Sequence, residues 1–225
     1  MDLWLNKADN YLKQANLSET ILICKACLEE FAEWYSKQSG EFIHYIESYY
    51  FHKPFKILEE TVQKLSEKDI QDLLNYCKSE ILKPKYKSAD LVNDFNNLIK
   101  KMSILLKTDD FLEIHNKLWQ EIKDKSSYEA KSLLDKKIEY LSQIQQPEKI
   151  WDVIKENLQI DSYREKWVKR LIKERNLSEA KKLINEVIRK ENNGEWEVLK
   201  LQIAEEEKDT PEIRELSYKF IKKTI

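Results

Sequence analysis

The chain has 225 residues, of which 36% are charged, yet 39 Lys and Arg against 41 Asp and Glu leave a net charge of −2. That balance supplies no global field to draw in nucleic acid or an anionic membrane, and a hydrophobic content of 41% excludes a disordered chain. Gly40 and Gly194 are the two glycines, far apart, so glycine-rich phosphate loops and nucleophile elbows are excluded as well.

Apolar residues recur at intervals of three and four along the chain, the period of helices with one buried face. Leu3, Leu5, Ala8, Tyr11, Leu12 and Ala15 form the first such face. Ser18 is the expected N-cap of the second helix, which carries Ile21, Cys24, Cys27, Leu28, Phe31, Trp34 and Tyr35 and stops near Gly40, a residue suited to the left-handed position. Residues 42–51 start another helical segment, and Pro54 is expected in the first turn of the one after. Ser66-Glu67-Lys68-Asp69 reads as a capping box, with Asp in place of the usual Glu. It opens a helix bearing Ile70, Leu73, Leu74, Cys77 and Ile81, which Pro84 ends. Polar residues around that proline mark a joint. Residues 91–106, 111–122 and 128–144 then read as three long amphipathic helices, with Thr108 and Ser126 or Ser127 as caps. Gln145-Gln146-Pro147 is a second joint. No strand-like alternation occurs.

The last third carries an internal repeat. The segment 167–188 recurs loosely 33 residues later, Asn176 aligning with Asp209, Leu171 with Ala204, Leu183 with Leu216 and Ile188 with Ile221. Each unit is a helix, a tight polar turn and a second helix, close to the ~34-residue period of tetratricopeptide-like hairpins, which bury their apolar faces by stacking. The alternative is two antiparallel helix pairs in an ordinary bundle. The expected fold is therefore all-α: a helical-hairpin solenoid over residues 87–225, packed continuously with an N-terminal helical-bundle portion over residues 1–86. Trp167, sharing a face with Tyr163 and Leu171, and Trp196, sharing one with Leu199 and Ile203, are expected to be buried between units.

The residues Arg164-Glu165-Lys166-Trp167, Asn176-Leu177-Ser178-Glu179-Ala180, Trp196-Glu197-Val198-Leu199 and Lys208-Asp209 resemble the helical-repeat region of bacterial proteins that carry a SWIM-type zinc finger, and of related uncharacterised families. The stretch from Cys24 through Trp34 to Gly40, with Leu65-Ser66-Glu67-Lys68-Asp69, resembles the first helices of that region. The finger's own ligands, two spaced Cys followed by Cys-x-His, have no counterpart here. The resemblance implies a TPR-like, bacterial repeat protein without the zinc-finger function. The excess of Lys, Asn, Ile and Glu accords with an AT-rich bacterial genome.

Candidate chemistry is sparse. Cys24 and Cys27 form a C-x-x-C, but at i and i+3 of a helix both thiols fall on the buried face with Leu28 and Phe31, and Cys77, His44, His52 and His115 supply no second pair for zinc. Glu41 and His44 have the Glu-x-x-His spacing of di-iron bundles without a second copy. No cofactor, metal or catalytic residue is expected, and the chain is read as non-enzymatic. Nine aromatics lie between Phe31 and Phe55. Trp34, Tyr45 and Tyr49 are expected in the core, whereas Tyr50 and Phe51 are harder to bury together and are candidate contact residues.

Charge is unevenly placed. Residues 162–190 hold ten Lys or Arg against four Asp or Glu, and residues 191–215 three against nine. The two segments complement each other or are solvated faces, or else they leave a basic concave strip around Lys166, Lys169, Arg170 and Lys173 that meets an acidic partner or phosphate backbone. The expected function is a protein-interaction scaffold with an unidentified protein partner. The alternative is a nucleic-acid-associated accessory domain of a larger zinc-finger-type protein. No apolar run approaches the ~18 residues of a membrane span, and Met1-Asp2-Leu3-Trp4 lacks the regions of a signal peptide. With three cysteines forming no disulfide framework, a cytoplasmic location is expected.

Overall fold

The computed structural model describes residues 2–37, 44–188 and 194–224, and side chains for all of these except 2, 44–51, 88, 194, 220 and 222–224. Thirteen helices and no strand occur among the described residues, and the protein is all-α. The chain divides into two compact units, Met1–Lys123 and Asp124–Ile225. The polar joint around Pro84, expected as the domain boundary at 86/87, falls inside the first unit.

The first unit holds α1 (Asp2–Lys13), α2 (Leu17–Ser36), α3 (His44–Val62), α4 (Glu67–Glu80), the short α5 (Pro84–Ser88), α6 (Val92–Leu106) and α7 (Asp110–Glu121). Helix α2 packs against α1, α3 and α5, and α6 against α3, α4 and α7. Its aromatic centre is Phe95, set edge-on at 4.9 Å from both Phe55 and Tyr86, so that α3, α5 and α6 meet on one ring. Pro84 starts α5 rather than merely ending α4, which is why the joint stays in the unit: Tyr86 is fully buried two residues later. Pro54 lies inside α3, not in a first turn. A proline there removes one backbone hydrogen bond, and the burial of Phe55, Ile57, Leu58 and Val62 along the same helix offsets that loss.

The second unit holds α8 (Tyr128–Gln143), α9 (Pro147–Glu156), α10 (Asp161–Lys173), α11 (Leu177–Ile188), α12 (Gly194–Glu207) and α13 (Thr210–Thr224). Each of these helices packs on the next in sequence. Trp167 and Trp196 are buried as expected, at 9% and 3% exposure, with Leu171, Leu199, Ile203 and the fully buried Ala180 around the same core.

Helix ends show how a glycine-poor chain makes tight turns. Ala15, Asp90, Lys107, Gln145, Arg175 and Lys208 all adopt φ between 53° and 60°. At Arg175 the N–H bonds to the Ile172 carbonyl, and the next N–H, of Asn176, reaches back to Leu171 at 2.8 Å. Lys208 and Asp209 repeat the pattern on Glu205 and Ala204, and the other four positions do the same on their own helices. These are left-handed helix closures that satisfy the terminal carbonyls, and the six join α1 to α2, α5 to α6, α6 to α7, α8 to α9, α10 to α11 and α12 to α13. The 33-residue match between Asn176 and Asp209 in the sequence is thus a match of turn geometry, repeated at four further joints where no sequence likeness was visible. Gly40, expected to fill such a position, lies outside the described residues.

Side-chain caps open α4 and α8. Ser66 accepts from the Asp69 N–H at 3.3 Å, and Ser127 from the Ala130 N–H at 3.1 Å, as the sequence predicts. Helix α2 instead begins at Leu17, with Asn16 and not Ser18 as its cap residue, because closure at Ala15 returns the chain to helix at once. The Thr20 hydroxyl then donates to the Asn16 carbonyl at 2.9 Å. Asp109 rather than Thr108 occupies the N-cap position of α7, without a side-chain cap bond.

Candidate functional site: a cation–tryptophan face on α9 and α10

Helix α10 buries Tyr163, Trp167, Val168, Leu171 and Ile172 on one side. Its other side carries Lys166, Lys169, Arg170 and Lys173, whose i, i+3, i+4, i+7 spacing aligns them along one stripe. The stripe is not uniform. Lys169 is paired with Glu165 one turn earlier. Arg170 is held on the protein: its Nε donates to Glu174 at 2.6 Å, an Nη lies 3.9 Å from Glu148, and the guanidinium stacks on Trp151 at 4.6 Å and Trp167 at 5.6 Å. Lys166 and Lys173 are exposed, with the Lys166 ammonium 5.6 Å from the Tyr163 ring.

Helix α9 supplies the rest of the face. Trp151 and Lys155 stand four residues apart and so share one side of it. The Trp151 and Trp167 rings lie 6.4 Å apart, and the Lys155 ammonium sits 5.5 Å from the Trp167 ring. Lys155 is exposed and Trp151 half-buried. The Trp167 indole Nε1 is buried and donates to no acceptor, an expensive state for a polar group. On the flank, the Tyr163 hydroxyl donates to Asp135 of α8 at 2.8 Å, and Lys131 reaches the other oxygen of that carboxylate at 2.5 Å. Burial, then the Asp135 bond, pushes the Tyr163 hydroxyl well above the usual phenol range, so it remains a donor.

The acidic segment that follows is largely engaged within the unit. Lys181 of α11 pairs with Glu207 and, at 3.4 Å, with Glu212, while Lys200 reaches Glu212 at 2.9 Å. The basic and acidic segments thus meet through Lys181 of α11, and not through the cations of the α10 stripe, in the ion pairs described.

Other residues singled out in the sequence fall elsewhere. Tyr50 and Phe51 belong to α3, but their side chains, like those of His44, Tyr45 and Tyr49, lie outside the described residues, as does Glu41. Trp34, expected in the core, is 47% exposed, because Phe31 takes the buried position one turn earlier and leaves Trp34 tilted against its edge at 5.5 Å. Cys24, Cys27 and Cys77 are buried free thiols. Burial pushes all three up, Cys77 to about 12. The His52 imidazole contacts Asp94 at 3.0 Å, and His115 is buried against Phe111. Among the described residues no group of three or more His, Cys, Asp or Glu is placed to hold a metal ion, and no helix is long and apolar enough to cross a membrane.

Trp151 and Lys155 were missed in the sequence, although Ile150-Trp151 and Ile154-Lys155 after Pro147 carry a usable signal: an aromatic and a cation at helical spacing. No family model matches the chain, and no curated protein and no solved structure matches it.

Proposed function

We propose that this chain is a non-enzymatic protein-interaction scaffold, a solenoid of TPR-like helical hairpins that offers a cationic, aromatic face to a protein partner. The observation that carries this reading is the recurrence of one turn, a left-handed closure leading directly into the next helix, at six joints. Hairpins repeated in this way make extended surfaces from successive helices, the use to which such arrays are put. The stacked Trp151, Arg170 and Trp167 are residue types enriched at interfaces, and the exposed Lys166 and Lys173 flank them with positive charge.

The test is capture from a bacterial lysate on the immobilised full chain, identified by mass spectrometry, against a Lys166→Glu, Lys173→Glu variant. A partner retained by the wild type and lost from the variant is the expected result. The competing reading, a nucleic-acid-associated accessory domain, is tested alongside with single- and double-stranded DNA and RNA over a salt series. Binding that falls steeply with salt replaces the scaffold reading. Equal capture by wild type and variant removes the stripe from the interface, and no capture at all ends the proposal.

A further inference from the structure

We infer that the Trp151–Lys155–Trp167–Arg170 cluster between α9 and α10 is a carboxylate-binding site for an acidic peptide segment of the partner. The inference rests on the scaffold reading and adds the chemistry of the ligand. Three observations converge on it. The Trp167 indole N–H is buried without an acceptor. Lys155 is exposed and stands against the Trp167 ring, and the carboxylates of the cluster, Glu174 at 2.6 Å and Glu148 at 3.9 Å, both lie on Arg170. Arg170 keeps its guanidinium on both indole rings, so a planar cation already lines the site at no further ordering cost.

With Arg170 held by Glu174 and Glu148, the buried Trp167 N–H and the exposed Lys155 ammonium are the two donors of the cluster that lack an anionic acceptor. A carboxylate meets the donors through charge-assisted hydrogen bonds, and the half-buried Trp151 packs on the methylenes that carry it. Lys166 and Lys173, one turn to either side of Arg170 on the same stripe, extend the positive charge along a peptide with further acidic residues. A long polyanion fits less well. Lys169 and Arg170 are already paired with Glu165 and Glu174, and the next hairpin carries Glu195, Glu205, Glu206 and Glu215.

The experiment follows the indole N–H signals of the ¹⁵N-labelled full chain by NMR, with the Trp167 signal identified by its loss in Trp167→Phe. The probe is a fluorescein-labelled peptide of alternating Glu and Ser, and its anisotropy gives the affinity. Saturable binding that moves the Trp151 and Trp167 indole signals is expected. Lys155→Gln and Trp167→Phe should each weaken it by about tenfold, the loss of one charge-assisted contact, and Lys64→Glu on the first unit should leave it unchanged. Trp167→Phe keeps an aromatic ring but loses both the N–H and part of the indole volume, so each variant's melting temperature is read beside its affinity, and Lys155→Gln, on an exposed side chain, carries the test if Trp167→Phe melts early. No saturable shift, or unaltered affinity in both variants, overturns the inference. Tighter binding of oligothymidylate than of the peptide overturns it in favour of nucleic acid. A partner still captured from lysate by Lys155→Gln, with peptide binding absent, sinks this site while the scaffold stands.

Discussion

A left-handed backbone at a residue with a Cβ costs roughly 1–2 kcal/mol relative to the right-handed form, and this chain accepts it at Ala15, Asp90, Lys107, Gln145, Arg175 and Lys208. Glycine would remove the steric cost while adding freedom to the unfolded chain worth about 0.4–1 kcal/mol. The net effect of Arg175→Gly or Lys208→Gly is therefore a gain of roughly 0.5–1 kcal/mol, to be read as a higher urea midpoint at unchanged slope. A lower midpoint would mean that the arginine or lysine side chain does more at the turn than close it. Trp167 gives the opposite sign. Its truncation to Ala should cost roughly 3–5 kcal/mol, whereas Lys169→Ala, on an exposed ion pair, should stay within about 0.5 kcal/mol. Matched denaturation curves of the two variants decide whether the indole is core or surface.

Between elements, the clearest polar tie in the first unit joins α4 to α7. Lys78 donates to Asp110 and, at 2.9 Å, to Glu113, which Lys117 also reaches at 2.7 Å. Lys117 and then Lys78 hold the Glu113 carboxyl down at about 2. Burial pushes Asp110 up, but its bonds to Lys78 and Thr108 outweigh that and leave it lowered. A depressed carboxylate stabilises the fold above its unfolded-state value and ceases to do so as pH falls through the folded one. The contribution of Glu113 should be complete above about 4.5 and vanish towards about 2. Half-exposed as it is, the pair is worth at most about 1 kcal/mol. Glu113→Gln should therefore lower stability modestly at neutral pH and flatten the acid limb of a pH–stability profile; an unchanged limb would show that the tie is screened away.

What the sequence disclosed at these two scales has a common cause. Periodicity reports which side of a helix is buried, so the helices at 91–106, 111–122 and 128–144 and the burial of Trp167 and Trp196 were all legible. Local hydrogen bonds reveal themselves the same way, as at Ser66 and Ser127. The left-handed closures were not legible, because their usual marker is glycine and these six positions hold other residues. Pro54 misled for a related reason: the penalty it imposes is local, and the burial that outweighs it is not. The α10 stripe was visible as a run of cations. Its dependence on Trp151 and Lys155 was not, since that pairing requires α9 to be laid against α10.

For the whole molecule, the division at 123/124 predicts that residues 124–225 fold when produced alone, with a helical circular dichroism spectrum and a single cooperative melt. A flat, unfolded spectrum would mean that α8 to α13 depend on the first unit. Buried thiols give a second global probe. Cys24, Cys27 and Cys77 all lie in the first unit, and burial raises each of them, suppressing the reactive thiolate. Ellman's reagent should label the native chain at the rate at which the unit opens, and all three at once in denaturant; fast native labelling of one cysteine would reveal local opening of α2 or α4.

The packing of each helix from α8 to α13 on its immediate successor has a kinetic consequence. Contacts made between neighbours in sequence close short loops, and chains dominated by them fold quickly. Growth from the N-terminus on the ribosome would let each pair collapse on the one before it as soon as its second helix emerges, with no distant strand or segment to await. Within residues 124–225 the exposed interval for an unfinished chain is then about one helix pair long, whereas α2 and α3 of the first unit must wait for α5 and α6.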